Sequence, residues 1–259
     1  MLSIRTSPNK KLNKDKKQLA FCSLRSLILA NYFLPINRAL SKLSEVRMLN
    51  RQNLLLAFPI LSLVWFAGTI IVAGLYYPEY SHITQFISEL GATGSPHGEY
   101  VNYLGFIPTE LFILAFVFTS FLTVPKTKKN ITGLSFIVVY AVTLGISALY
   151  PCDFECRPVE PTISHNIHML SAFPGYLCGI ISIFILSSGS SFISQYKVYK
   201  LVSFTIGVIC IYAFLNLDPN SLVVGVYQRS LDLMIYLWFI YFAYSVNQHL
   251  PNKPLKQDF

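Results

Sequence analysis

From residue 53 onward the chain alternates between long apolar runs and short polar connections. The runs occupy residues 53–76, 101–124, 131–150, 167–187, 198–217 and 224–246. Crossing roughly 30 Å of hydrocarbon at about 1.5 Å per residue takes about 20 residues, and each run is near that length. A lone segment in lipid has to satisfy its own backbone hydrogen bonds, so each run is expected to be helical. A membrane barrel would alternate with a two-residue period, which these runs lack. The pattern predicts an all-α fold, an integral membrane bundle of six transmembrane helices over residues 48–250 with a tail at 251–259.

The connections carry the orientation. Arg47 and Arg51 precede the first run, and Lys126, Lys128 and Lys129 lie between the second and third. Lys197 and Lys200 open the fifth, and Lys253 and Lys256 follow the sixth. The alternate connections hold Glu79, Glu89 and Glu99, then Asp153, Glu155 and Glu160, then Asp218, with Arg157 their only Lys or Arg. The positive-inside rule therefore predicts cytoplasmic N- and C-termini and puts the acidic connections outside. In the first of these, Ile83, Phe86, Ile87 and Leu90 recur at helical spacing, with Ser81 placed to cap and Gly91 placed to terminate. A short amphipathic helix at the outer interface is expected there, with His82, Gln85, Ser88 and Glu89 on its polar side.

Composition sharpens one point and removes another. Only 12% of the residues are charged and mean hydropathy is +0.51, against about 25% charged in soluble domains. The formal charge of +8 lies entirely in residues 1–47, where ten Lys/Arg face Asp15 and Glu45, so 10 − 2 = +8 and the rest is neutral. No basic surface remains to read nucleic acid, and the expected partners are membrane lipids. Residues 1–47 have two readings. They form a cytoplasmic arm drawn to anionic lipid at about 1 kcal/mol per basic residue, or they precede a true start at Met48. The segment MLNRQNLLLAF, a normal inner-side lead into a first membrane helix, favours the second. Residues 24–34 are too short to span, and no small-residue cleavage site follows them.

Cys178 and Cys210 fall in apolar runs and read as packing residues. Cys152 and Cys156 suit a disulfide in an oxidising compartment, with a metal pair the less favoured alternative. No phosphate-binding loop, dinucleotide, zinc-finger or Gly-x-Ser-x-Gly pattern occurs, so the sequence names no cofactor.

Four local patterns line up in order on this topology. YPEYSHITQFISELGATGSP contains a Ser-Glu-Leu-Gly-Ala element, and LYPCDFEC a Pro-x-Asp element at Pro151 and Asp153. IHMLSAFPGY opens the fourth run with His168, and GVYQRSLDLMIYLW opens the last with Gly225, Gln228 and Arg229. Together they resemble the family called domain of unknown function 998, over roughly residues 52–247. The resemblance implies a polytopic protein of about six helices, mostly bacterial or archaeal, hence residence in the cytoplasmic (inner) membrane. It implies no activity.

Candidate chemistry converges on the outer side. Glu110 lies about nine residues, or about 14 Å, into the second run. Arg229 and Asp232 share a face of the sixth run, beside Gln228. Charges at such depth cost about 2.5–3.5 kcal/mol each and normally face a bundle interior or wet cavity. Pro108 and Pro174 are placed to kink helices around such a cavity. Glu110, Gln228, Arg229 and Asp232 are therefore candidate ligand-binding residues. Ser88, Glu89, Asp153 and His168 are candidate catalytic residues for an intramembrane lipid hydrolase or transferase, with Asp153, His165 and His168 as candidate metal ligands. The alternatives stay open: His165 at the interface with Asp153 and His168 as an interhelical cap, and Glu89 as a clamp on Arg229. Three classes follow, namely a lipid-modifying enzyme, a small-solute or lipid transporter, and a non-catalytic membrane partner. An outward-facing polar pocket for a lipid or small amphiphile fits the pattern best. The enzyme reading requires Asp153, His168 and a third ligand to converge.

Overall fold

A computed structural model describes residues 34–189, 193 and 196–249. Among these residues every regular element is helical. The long helices are α1 (Leu34–Leu75), α2 (Gly98–Thr123), α3 (Lys128–Leu149), α4 (Ile163–Gly189), α5 (Lys197–Leu215) and α6 (Val224–His249). They pack as one unit from Arg51 onward. The alternative start at Met48 falls on α1, while residues 1–33 and the tail from 250 lie outside the described residues.

Five segments are long and apolar enough to cross a bilayer: Asn50–Leu75, Gly98–Thr123, Lys128–Leu149, Ile163–Ser188 and Lys197–Leu215. The chain is thus a multi-pass membrane protein. The sixth run also forms a helix, 26 residues long, but it is less apolar, and its surroundings explain this. Leu231, Ile235, Tyr236, Trp238, Phe239 and Phe242 of α6 are all at most 1% exposed. A helix enclosed by protein on most sides is free to carry Gln228, Arg229 and Asp232, because its polar groups meet partners and not lipid.

The seam between α1 and α2 shows how the backbone is satisfied. Pro108 has no N–H to give the carbonyl four residues back, that of Leu104. The helix widens to a π-turn over Val101–Phe106. The Leu104 carbonyl accepts instead from the Trp65 indole N–H at 2.8 Å. One turn further, the Ser62 hydroxyl donates to the Thr109 carbonyl at 3.0 Å.

Helices α3 and α4 approach through small residues, as lipid-embedded helices do when hydrophobic exclusion no longer drives them together. A Cβ on Gly179 would sit 2.8 Å from the Tyr140 ring and 3.4 Å from Ile235. Around this contact lie the buried rings of Tyr140, Phe116, Phe239 and Phe242.

One expected element takes a different form. The stretch from Ser81 is not a continuous amphipathic helix. It runs as turns into a 3-10 helix at Ser88–Gly91. Glu89, assigned to a polar face, is fully buried, while Ile83 is 56% exposed. Helical spacing was matched, but Glu89 found internal hydrogen-bond donors and turned inward.

Replacing Gly179 by Val overpacks the Tyr140 contact and is expected to destabilise the bundle by about 1–3 kcal/mol. Gly68→Ala, where a Cβ meets nothing within 4 Å, should be neutral. Thermal unfolding in detergent checks both.

Candidate functional site: a polar cavity beneath a cross-tied cap

The connections at residues 76–97, 150–162 and 216–223 meet at one end of the bundle and are tied by two arginines. Arg157 donates from Nη1 to Glu89 Oε1 at 2.9 Å, from Nη2 to the Thr84 carbonyl at 3.2 Å, and from Nε to the Pro219 carbonyl at 2.9 Å. It joins all three connections. Its guanidinium also lies over Phe86, 5.5 Å from the ring centre. Glu89 further accepts from the Phe86 backbone N–H and from Gln85 Nε2, both at 2.9 Å. Burial pushes the Glu89 carboxyl above its ordinary value, against the pull of those hydrogen bonds and of Arg157, and the net direction is upward.

Arg229, at the start of α6, makes the second tie. Nη1 donates to the carbonyls of Gln85 and Gly225 at 3.0 Å each, and Nη2 to Tyr80 Oη at 2.6 Å and His82 Nδ1 at 3.0 Å. Burial raises the Tyr80 phenol to about 12, although Arg229 pulls it down. The His82 imidazole is lowered by desolvation and then by Arg229. Gly225 matters here because a side chain would strike the carbonyls of Gln85 and His82. Cys152 and Cys156 are joined by a disulfide with Cα atoms 5.1 Å apart. Ser88 Oγ lies 3.4 Å from Cys156 Sγ, and the Thr93 N–H donates to the Cys152 carbonyl at 2.8 Å.

This arrangement corrects two expectations. Glu89 is clamped by Arg157, not Arg229, because Arg229 is already committed to Tyr80, His82 and two carbonyls. Asp153 and His168 do not converge. Asp153 accepts from the Thr162 N–H at 2.9 Å and hydroxyl at 2.7 Å, and Thr162 Oγ1 in turn accepts from the His165 N–H at 3.2 Å, capping α4. These hydrogen bonds from Thr162, backbone first, hold the Asp153 carboxyl below its usual value. His165 Nδ1 lies 4.0 Å from Asp153 Oδ2. His168 Nδ1 turns to the carbonyls of Ser147 at 2.8 Å and Tyr150 at 3.2 Å. No group of three His, Cys, Asp or Glu suited to a metal ion occurs among the described residues.

Beneath the cap is a cavity of about 60 Å³. Ile87, Ser88 and Gly91 line it from the cap, and Glu110, Asp232 and Tyr236 from the helices below. His168, Gln228 and Asn102 line it too, so five of the expected residues share one space: Ser88, Glu110, His168, Gln228 and Asp232. Gln228 Oε1 accepts from the Ile87 N–H at 2.6 Å, and its Nε2 donates to Tyr176 Oη at 3.3 Å. The Tyr176 hydroxyl donates to Asp232 Oδ2 at 3.2 Å, and the Tyr236 hydroxyl to Glu110 Oε1 at 3.3 Å. Glu110 Oε2 is buried without a hydrogen-bond partner.

Asn102, Tyr176, Tyr236 and Arg157 escaped the sequence reading. Asn102 stands eight residues before Glu110, and Tyr236 four after Asp232, both on the helix faces already singled out. Arg157 was marked by being the lone basic residue in the acidic connections. Tyr176 had no comparable signal.

The family model described as "Protein of unknown function (DUF998)" matches residues 60–245, from the middle of α1 almost to the end of α6. The chain belongs to that family. No curated protein and no solved structure matches it.

Arg157→Ala strands a buried carboxylate and is expected to cost about 1–3 kcal/mol. Glu89→Gln in the same chain should restore part of that loss, since an amide needs no counter-charge. Because the folded-state value of Glu89 is raised, its ionised form disfavours folding above that value. The Arg157→Ala defect should therefore shrink as pH falls through it. Thermal unfolding across pH checks the sign.

Proposed function

We propose that this member of the family is a six-span protein of the bacterial inner membrane that holds the head of a lipid or small amphiphile in an outward-facing polar cavity. The observation that carries this is the unpaired Glu110 Oε2, which lines a cavity shared with Asp232, His168 and Gln228. Such an arrangement is costly in hydrocarbon unless something is bound.

Several features support the orientation. Lys126, Lys128, Lys129, Lys197 and Lys200 all lie at the end opposite the cap, as the positive-inside rule expects of a cytoplasmic face. The Cys152–Cys156 disulfide suits an oxidising compartment on the capped side. At about 1.5 Å per residue, the 26 residues of α6 exceed the hydrocarbon thickness, so it serves as the sixth span.

Size supports a head group as the part received. Pockets for drug-sized ligands are about 300–1,000 Å³, well above the 60 Å³ here. A separate apolar groove of about 610 Å³ between α1 and α2, lined by Val64, Trp65, Val72 and Leu104, suits acyl chains. Binding is favoured over hydrolysis because Asp153 and His168 serve separate contacts.

Native mass spectrometry after mild-detergent extraction should show a retained species of lipid mass, diminished by Glu110→Gln. A spectrum of bare protein, or retention unaffected by the substitution, defeats the reading. Orientation is checked with an impermeant thiol reagent on whole cells expressing the protein without Cys22, Cys178 and Cys210. Asn220→Cys should label from outside, and Lys126→Cys only after permeabilisation.

A further inference from the structure

The cavity differs from most polar pockets in the sign of what surrounds it. Its lining contains Glu110 and Asp232 but no Lys or Arg. Arg229, on the same face as Asp232 and within electrostatic reach of it, makes no hydrogen bond to it; its terminal nitrogens donate to Tyr80, His82, Gln85 and Gly225. Arg157 is likewise committed to Glu89. Two carboxyl groups, 7% and 2% exposed, therefore share a space whose lining holds no Lys or Arg and in which neither is hydrogen-bonded to one. Taking a carboxylate out of water costs several kcal/mol unless a counter-charge accompanies it.

Hydrogen-bond polarity points the same way. The tyrosine hydroxyls of Tyr176 and Tyr236 each donate to one oxygen of these carboxyls. Glu110 Oε2 remains an unused acceptor. His168 Nδ1 faces two carbonyls and must carry the hydrogen, which in the neutral tautomer leaves Nε2 as a lone pair. The space is rich in acceptors and asks for a donor. Its walls are aromatic as well: the Phe66 ring centre lies 6.0 Å from that of Phe106 and 5.1 Å from that of Tyr236, and all three residues line the cavity. Aromatic faces attract organic cations, whereas a hard metal ion prefers six or more oxygen ligands.

Resting on the head-group reading above, we propose that the cavity is an ammonium site. It receives a primary alkylammonium group, with Glu110 and Asp232 as counter-ions and Phe66, Phe106 and Tyr236 as its aromatic wall. The same chemistry is carried by an ethanolamine lipid head and by a free small amine.

The test uses the purified full-length protein in detergent and follows its thermal midpoint. Ethylamine is compared with ethanol, its neutral near-isostere, and short-chain phosphatidylethanolamine with phosphatidylglycerol. The amine-bearing member of each pair should stabilise saturably, at least tenfold more tightly than its partner. Glu110→Gln and, independently, Asp232→Asn should each abolish that preference. The wild-type comparison needs no variant, so a variant that fails to fold leaves the proposal open to defeat. Response to the lipid alone identifies a lipid source, response to ethylamine alone the free amine, and response to both an ammonium site that takes either. Equal binding of both lipids overturns the ammonium assignment while the head-group reading survives. No response to any probe, with no lipid retained on extraction, overturns both.

Discussion

A carboxylate removed from water must be met by charge or by hydrogen-bond donors, and the capped end of this bundle is built around that requirement. Glu89 is fully buried and is met by Arg157, Gln85 and a backbone N–H. Because Arg157 also holds Thr84 and Pro219, satisfying one charge draws three connections into a single cap. The positions of Ile87, Ser88 and Gly91 over the cavity follow from it, as does the availability of Gln228 to receive the Ile87 N–H.

The cavity below obeys the same rule with a different outcome. Glu110 and Asp232 are met by tyrosine hydroxyls, which stabilise charge less than a guanidinium does. Arg229 acts on Asp232 only through space and makes no hydrogen bond to it. Its terminal nitrogens engage Tyr80 and His82 in the cap, so no arginine hydrogen-bonds the acidic pair. Cap and cavity thus meet at one side chain, since the guanidinium hydrogen-bonded into the roof also acts through space on Asp232 in the floor.

The bundle was legible in the sequence because bilayer thickness and backbone satisfaction leave few choices for apolar runs of that length. All six runs became helices, the last of them less apolar for the reason its buried neighbours supply. Intramembrane charge likewise marked Glu110 and Asp232, because such residues are expensive unless they face inward. What failed was pairing across connections. Which arginine meets Glu89 depends on where the chain after α3 turns, and the spacing of residues 150–162 carries no trace of that. Asp153 and His168 invited pairing because they lie at the outer ends of the third and fourth runs, yet Thr162 and the carbonyls at the end of α3 satisfied them first. Asp153 is satisfied nine residues along the chain and His168 across the α3–α4 seam, and a linear reading sees neither contact. The amphipathic spacing around Phe86 failed for a related reason, since it counts apolar residues and is blind to a carboxylate with donors waiting inside.

The Trp65 indole, recruited to the carbonyl that Pro108 leaves free, also makes the protein its own optical probe. The chain has only two tryptophans. Trp65 is 48% exposed on the α1–α2 seam, whereas Trp238 is wholly enclosed and bonded to the Ser203 hydroxyl at 3.0 Å. Collisional quenchers dissolved in the acyl chains can reach the first ring and not the second. The accessible part of the ultraviolet emission therefore reports whether the seam is shut, and the shielded part whether the core is intact.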